Sequence, residues 1–315
     1  MAHGNQSSVS EFLLQGFSQW PEHQYLFFGL FLCMYLITLT GNVLIFLSII
    51  FESHLHTPMY FFLASLSFAD VGLSSSIVLK VLHNLYTQQH TISYTGCLSQ
   101  LYFFLTFGDM DSFLLSVMAY DRYMAICHPL HYTTAMSPRL CVLLVSVCWV
   151  IANMIALLHT LLIAKLSFCV GGKISHFFCD INPLLKIACS PTRLNELMVY
   201  YVGGPFVIVP FLCTLVSYIC IASAILRMPS SGGGRRKAFS TCGSHLSVVC
   251  LFYITVYTVY LSPQSIFPTK DIVGSVAYTV VTPMLNPFLY SLRNQDVKAA
   301  LRSLIKGKIL ACQTQ

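Results

Sequence analysis

The sequence predicts an all-α membrane protein: a seven-transmembrane helix bundle followed by a short amphipathic C-terminal helix. Three observations carry that prediction. Only 9% of the 315 residues are charged and the mean hydropathy is +0.72, whereas a soluble domain carries about 25% charged residues. The apolar runs extend for about 20 residues or more, the length a helix needs to cross a bilayer. A very apolar soluble α/β enzyme would instead show runs of about 4–8 residues between polar connections. Finally, the basic residues segregate by side once the runs are laid across a membrane.

The runs fall at 25–50, 58–86, 97–127, 139–164, 196–227, 238–262 and 272–292. The opening "MAHGNQSSVSEF" is polar and lacks the basic and apolar regions of a cleaved signal peptide, so the first run is expected to act as an uncleaved anchor. One membrane domain, 1–315, is expected: an outer segment 1–24, a bundle 25–293 and an inner helix and tail 294–315. No repeat interrupts it, and "SSGGGRRK" (230–237) reads as its flexible linker.

Placing the amino end outside puts Arg122, Arg139, Arg227, Arg235, Arg236, Lys237 and the basic tail from Arg293 onward in the cytoplasm. Only Lys80, Lys165, Lys173, Lys186, Arg193 and Lys270 then fall outside or near the outer boundary. The excess of inner basic residues favours this orientation. The net charge of +6 is therefore a topology signal, and a nucleic-acid partner is disfavoured. The same orientation places Asn5, in the glycosylation acceptor "NQS", outside. Of 13 cysteines, Cys97, Cys169, Cys179 and Cys189 fall on the outer side, where disulfides persist. The residues alone leave all of their pairings open.

Polar residues inside spans are costly unless partnered, which makes them functional candidates. Asp70 lies about 18 Å along the second span from Pro58, and Asp111 about 15 Å before Asp121 at the inner edge of the third. The two carboxylates share a depth, and Asn42 and Asn286 can complete a polar cluster around them. Two unscreened carboxylates there would repel; a shared proton or a sodium ion would relieve this. The bland reading is a static hydrogen-bond network that pairs helices. Asp109 points nearly opposite to Asp111, because positions two apart on a helix differ by about 200°. It matches the depth of His159 in the fourth span, so it either pairs with His159 or faces a ligand cavity.

The inner end of the third span reads "MAYDRYMAICHPLHY" (118–132), setting the permanent cation Arg122 beside Asp121 at the membrane face. That pair can lock the helix end, and its release lets Arg122 reach a new acceptor. In "PMLNPFLYSLRN" (283–294), Pro287 is expected to kink the seventh span, with Asn286 satisfying the freed backbone and Tyr290 one turn further in. The tail puts Val297, Leu301, Leu304 and Ile305 on one face and Lys298, Arg302 and Lys306 on another, as in a helix lying on the inner leaflet. Cys312 alone is poor evidence for a lipid anchor.

These motifs, in order and spacing, resemble the rhodopsin-like G-protein-coupled receptors, specifically the tetrapod-type olfactory (odorant) receptors. The resemblance rests on "GN" (41–42), "LHTPMYFFLASLSFAD" (55–70), Cys97, "MAYDRYMAICHPLHY", "SY" (217–218), "KAFSTCGSHL" (237–246) and "PMLNPFLYSLRN". It implies a receptor for small volatile molecules that activates a stimulatory, olfactory-type heterotrimeric G protein, raises cyclic AMP and resides in the plasma membrane of sensory cilia. It also implies Cys97–Cys179 and Cys169–Cys189 bonds. Coupling roles then fall on Asp121, Arg122, Tyr123, Tyr218, Asn286, Pro287 and Tyr290, and an aromatic toggle role on Tyr253. Two details depart from the family: Ile254 replaces a frequent glycine and is expected to narrow the pocket floor, and Asp111 replaces a usual glutamate.

Helical phase with the resemblance gives the expected ligand set. The third span supplies Phe104, Leu105, Gly108 and Ser112, with Asp109 at the margin; the sixth supplies Tyr253, Val256, Tyr257 and Tyr260. Val202, Phe206 and Thr279 complete it. This set suits a small, weakly polar ligand held by shape, and the apolar Phe104 disfavours an amine. An enzyme is not expected: Asp109 and Asp121 sit on one helix about 18 Å apart, which rules out an aspartyl protease dyad. No related halves suggest a transporter. Copper at His176, Cys179 and Asp180 is disfavoured if Cys179 is in a disulfide.

Overall fold

The computed structural model describes residues 10–18, 20–168, 172–227, 234–261, 268–293 and 297–300. Helices follow the apolar runs. α1 spans Gln24–Phe51, α2 Pro58–Thr87, α3 Tyr94–Cys127 and α4 Pro138–Ala164. α5 spans Arg193–Arg227 and passes through a π-helical turn at Val199–Gly203. α6 comprises Gly234–Val256 and a π-helical turn at Tyr257–Leu261. α7 comprises Pro268–Val276, a π-helical turn at Ala277–Val281, and Thr282–Arg293. Six of these helices are long and apolar enough to cross a membrane, and α6 carries a shorter apolar stretch, His245–Tyr260.

Helix starts follow from the local sequence. Pro58 and Pro138 occupy first turns, where the missing N–H would have had no partner anyway. Ser93 and Ser137 cap α3 and α4 by accepting from the N–H groups of Gly96 and Leu140. α2 ends at Gln88, whose φ of 57° is left-handed and stops the helix.

α3 is the hub, packed against α2, α4, α5 and α6, while α1 packs against α2 and α7. Leu143, Val150 and Met154 on α4, and Val209, Val216 and Ile219 on α5, are exposed. An apolar surface of that extent is suited to acyl chains, not water. Gly72 lies where a Cβ would overlap the Phe107 ring, so its lack of a side chain sets how closely α2 approaches α3.

A three-stranded sheet, unforeseen from the sequence, lies beside the outer helix ends. β1 (Glu11–Leu14) pairs antiparallel with β2 (Thr91–Ser93) and parallel with β3 (Lys173–Ile174), in the order β2-β1-β3. Alternation buries Phe12 and Leu14. Cys97 is bonded to Cys179, which ties the loop after α4 to the start of α3. Cys189 is also disulfide-bonded, and its expected partner Cys169 lies outside the described residues, as does Asn5. Of the linker, 230–233 lies outside them, whereas Gly234 onward belongs to α6. In the tail, residues 297–300 are helical with Val297 buried and Lys298 half-buried; Leu301, Arg302, Leu304, Ile305, Lys306 and Cys312 lie outside the described residues.

Candidate functional site

The outer half of the bundle is closed by the loop before α5. Phe178 inserts its ring edge-on against Phe104, centroids 5.0 Å apart, and Phe177 packs on Phe17 of the amino-terminal segment. Gln100 fixes this loop, accepting from Cys179 N–H at 2.9 Å and donating to the Ser76 carbonyl at 3.1 Å. Beneath it, Phe104 and Phe252 flank Tyr278, and Tyr253 meets Ser112 at 3.2 Å across α3 and α6. Phe206 faces Phe113, while Leu105 and Val202 are half-buried. Val256 and Thr279 are buried, the Thr279 hydroxyl bonding its own helix at Ser275. The π-helical turns of α5, α6 and α7 carry Val202, Tyr260 and Thr279; such wide turns occur often at functional sites.

Two polar groups of the closing loop were not singled out as pocket neighbours by the sequence. Asp180 accepts from Ile181 N–H at 2.7 Å and from the Tyr260 hydroxyl at 3.2 Å. Burial pushes its carboxyl up to about 6 against the opposing effect of those bonds. His176 bonds Ser275 at 3.1 Å, and burial with Lys186 nearby holds its imidazole down to about 4. Copper binding loses its thiolate, because the Cys179 sulfur is in the disulfide.

Three expectations are corrected in this region. Among the described residues no hydrogen bond or ion pair joins Asp109 to His159. His159 turns instead toward Gly203 on α5, where a Cβ would lie 3.4 Å from its Nε2. Equal depth did not bring equal azimuth. Tyr257 is 55% exposed and Ile254 63% exposed, both on the outside of α6. Three positions apart, they share one helix face, so Tyr257 leaves the lining and Ile254 does not narrow the floor.

At mid-membrane, Asp70, Asp111, Asn42 and Asn286 are all buried and close together. The Asn286 amide donates to both Asp70 oxygens at 2.9 Å. Pro287 has no N–H for the carbonyl of Pro283, four residues earlier. That carbonyl accepts instead from the Asn42 amide at 3.1 Å. Asn42, not Asn286, therefore satisfies the carbonyl that Pro287 frees. Gly41 permits the approach, since a Cβ there would meet the Pro287 ring at 3.0 Å. Four buried atoms of this region keep no partner: Asp111 Oδ1, Asn42 Oδ1, Asn286 Oδ1 and Ser74 Oγ.

At the inner end, Asp121 and Arg122 form no ion pair among the described residues. Asp121 accepts instead from the hydroxyl of Tyr132, on the short helix Tyr132–Ala135, at 2.8 Å. Burial and that carboxylate raise the Tyr132 phenol above its ordinary range. Arg122 is left with a buried Nε that lacks a partner, within electrostatic reach of Tyr218, His245 and Tyr290. Tyr218 bonds His245 Nδ1 at 2.5 Å and stacks on its ring, and the Tyr290 ring lies tilted 6.4 Å from that imidazole. Tyr123 bonds His128 at 3.0 Å. His245 is the residue that sequence reasoning missed, although it stands inside the quoted "KAFSTCGSHL".

A bundle of membrane-length helices, closed on its outer side by a disulfide-tied loop and carrying a buried arginine Nε without a partner at its inner end, has the architecture of a G-protein-coupled receptor. The family model described as olfactory receptor matches residues 31–308. The human protein "Olfactory receptor 1N1" is 62% identical over 305 residues, 96% of this chain and 98% of its own length. The rat "Olfactory receptor 1f45" is 59% identical over 97% of each chain, and the mouse "Olfactory receptor 1E16" 58% identical over 98% of this chain and 99% of its own. The chain belongs to the olfactory receptor family and is a multi-pass membrane protein.

Proposed function

We propose that this receptor binds small, mostly apolar volatile odorants in the outer half of the bundle and activates a stimulatory, olfactory-type G protein, raising cyclic AMP. The observation that carries the reading is Arg122 of α3, held off Asp121 with its buried Nε unpartnered, within electrostatic reach of the Tyr218–His245 pair. A permanent cation held off its neighbouring carboxylate is free to respond when α6 moves. The aromatic floor of Tyr253 and Phe252 lies between pocket and arginine, so a ligand above it can bias that movement. The amino end faces outward, in keeping with Asn5 and the Cys97–Cys179 bond, and the receptor works in the plasma membrane of olfactory cilia. Asp70 and Asp111 share a proton or hold a sodium ion, to which the unpartnered Asp111, Asn42, Asn286 and Ser74 oxygens offer ligands.

A cyclic-AMP reporter in cells, screened with an odorant panel, tests the proposal. The expected result is a concentration-dependent response that disappears in cells lacking the stimulatory G-protein α subunit. Silence at confirmed surface expression, or a response that survives loss of the α subunit, contradicts it.

A further inference from the structure

Asp109 lies in the outer half of the bundle, and its expected partner His159 lies elsewhere. Its Oδ2 is buried and receives no hydrogen bond. The basic group at matching depth, His159, is turned toward Gly203. The groups that Asp109 does face electrostatically are the phenols of Tyr260 and Tyr278, from α6 and α7. Neither supplies the missing donor. Tyr260 gives its hydroxyl proton to Asp180 at 3.2 Å. Tyr278 directs its hydroxyl at Gly108, where a Cβ would overlap it, and its ring is fenced by Phe104 and Phe252. The protein thus brings an acceptor, three aromatic rings and a phenol to one place, without a donor for the acceptor.

We propose that the ligand supplies that donor: it carries a hydroxyl or protonated amine that donates to Asp109 Oδ2, on an apolar body packed against Phe104 and Phe178. The inference rests on the reading that this half of the bundle is the odorant pocket, and it adds the chemical class of the odorant. A buried carboxylate oxygen without a donor is strongly disfavoured in hydrocarbon surroundings, so a donor gains far more here than in water. A ketone, ester or ether cannot make the contact. The expectation that Phe104 disfavours amines is thereby revised, because the acidic anchor lies about 7 Å deeper on the same helix.

The test is a cyclic-AMP reporter assay with matched ligands on hexyl, octyl, benzyl and cyclohexylmethyl skeletons, each as primary alcohol, primary amine, methyl ether and hydrocarbon. Alcohols or amines are expected to activate at least tenfold more potently than the methyl ethers of the same skeleton. Asp109→Leu is expected to abolish that preference at matched surface expression, and Asp109→Asn to weaken amines at least tenfold. A purely structural role for Asp109 would instead shift donor-bearing and donor-free agonists by the same factor. Methyl ethers as potent as alcohols, or an undiminished preference in both variants, overturn the inference while leaving an odorant receptor. Should Asp109→Leu fail to reach the surface, the wild-type ranking and Asp109→Asn still decide. Silence of the wild-type protein to every compound overturns both readings.

Discussion

Replacing Asn42 with Leu removes the side-chain donor bonded to the Pro283 carbonyl, at 3.1 Å in a buried site. Pro287 cannot supply the helical N–H, so the carbonyl is left bare. Membrane hydrogen bonds measured by double-mutant cycles average about 0.6 kcal/mol and reach about 1.7 kcal/mol. A buried carbonyl left with no partner falls at the upper end, so Asn42→Leu should cost about 1–2 kcal/mol. Pro287→Ala restores an N–H at the correct position and keeps the Cβ that packs on Gly41. In the Pro287→Ala background, Asn42→Leu should therefore cost about 1 kcal/mol less. The assay is thermal unfolding of the four detergent-purified proteins of the cycle, read as relative melting temperatures. Costs that add within about 0.3 kcal/mol would refute the coupling between Asn42 and the proline-freed carbonyl.

Three further outcomes follow from the loops. The Asp180 carboxyl, raised to about 6, makes the folded form bind its proton more tightly; its contribution to stability is present at low pH and is lost as pH rises from about 4 to 6. The His176 imidazole, lowered to about 4, acts the other way, and its contribution is lost as pH falls from about 6.5 to 4. Between pH 7 and 5 the first adds about 1 kcal/mol and the second removes about 2 kcal/mol, so wild-type melting should change little. Asp180→Asn should expose an acid-induced loss and His176→Gln an acid-induced gain, and parallel wild-type and variant profiles would contradict both. Tyr132→Phe frees Asp121 to recapture Arg122 and should lower basal cyclic AMP about threefold to tenfold at matched surface expression; an unchanged basal level counts against it. Gly16→Ala places a Cβ 2.5 Å from the Phe177 Cβ and should lower the melting temperature by several degrees, whereas Gly29→Ala meets nothing within 4 Å and should not.

Much of the architecture was legible because a bilayer imposes length on apolar sequence. The expected run 58–86 became Pro58–Thr87, and 139–164 became Pro138–Ala164. Rise per residue likewise placed Asp70 and Asp111 together. Azimuth was harder. His159 has the depth of Asp109 but the wrong face, and Tyr257 follows Ile254 to the outside of α6. The sheet was illegible for another reason. Strands of 4, 3 and 2 residues leave almost no alternation to read, and their partners are remote in sequence. At the inner end of α3 and again between α1 and α7, the residue beside a group in sequence proved not to be its partner: Tyr132 displaced Arg122 on Asp121, and Asn42 displaced Asn286 at the Pro283 carbonyl. Short-range reasoning favours the adjacent residue, while the packed bundle offers nearer ones from other helices.

The central claim is that Arg122, unpaired from Asp121, transmits ligand binding to a stimulatory G protein. It is tested most directly by the agonist-driven cyclic-AMP response of Arg122→Ala, compared with the wild-type protein at equal surface expression. Loss of the response, with the variant still reaching the surface, is the predicted result. A full response from Arg122→Ala would contradict the account.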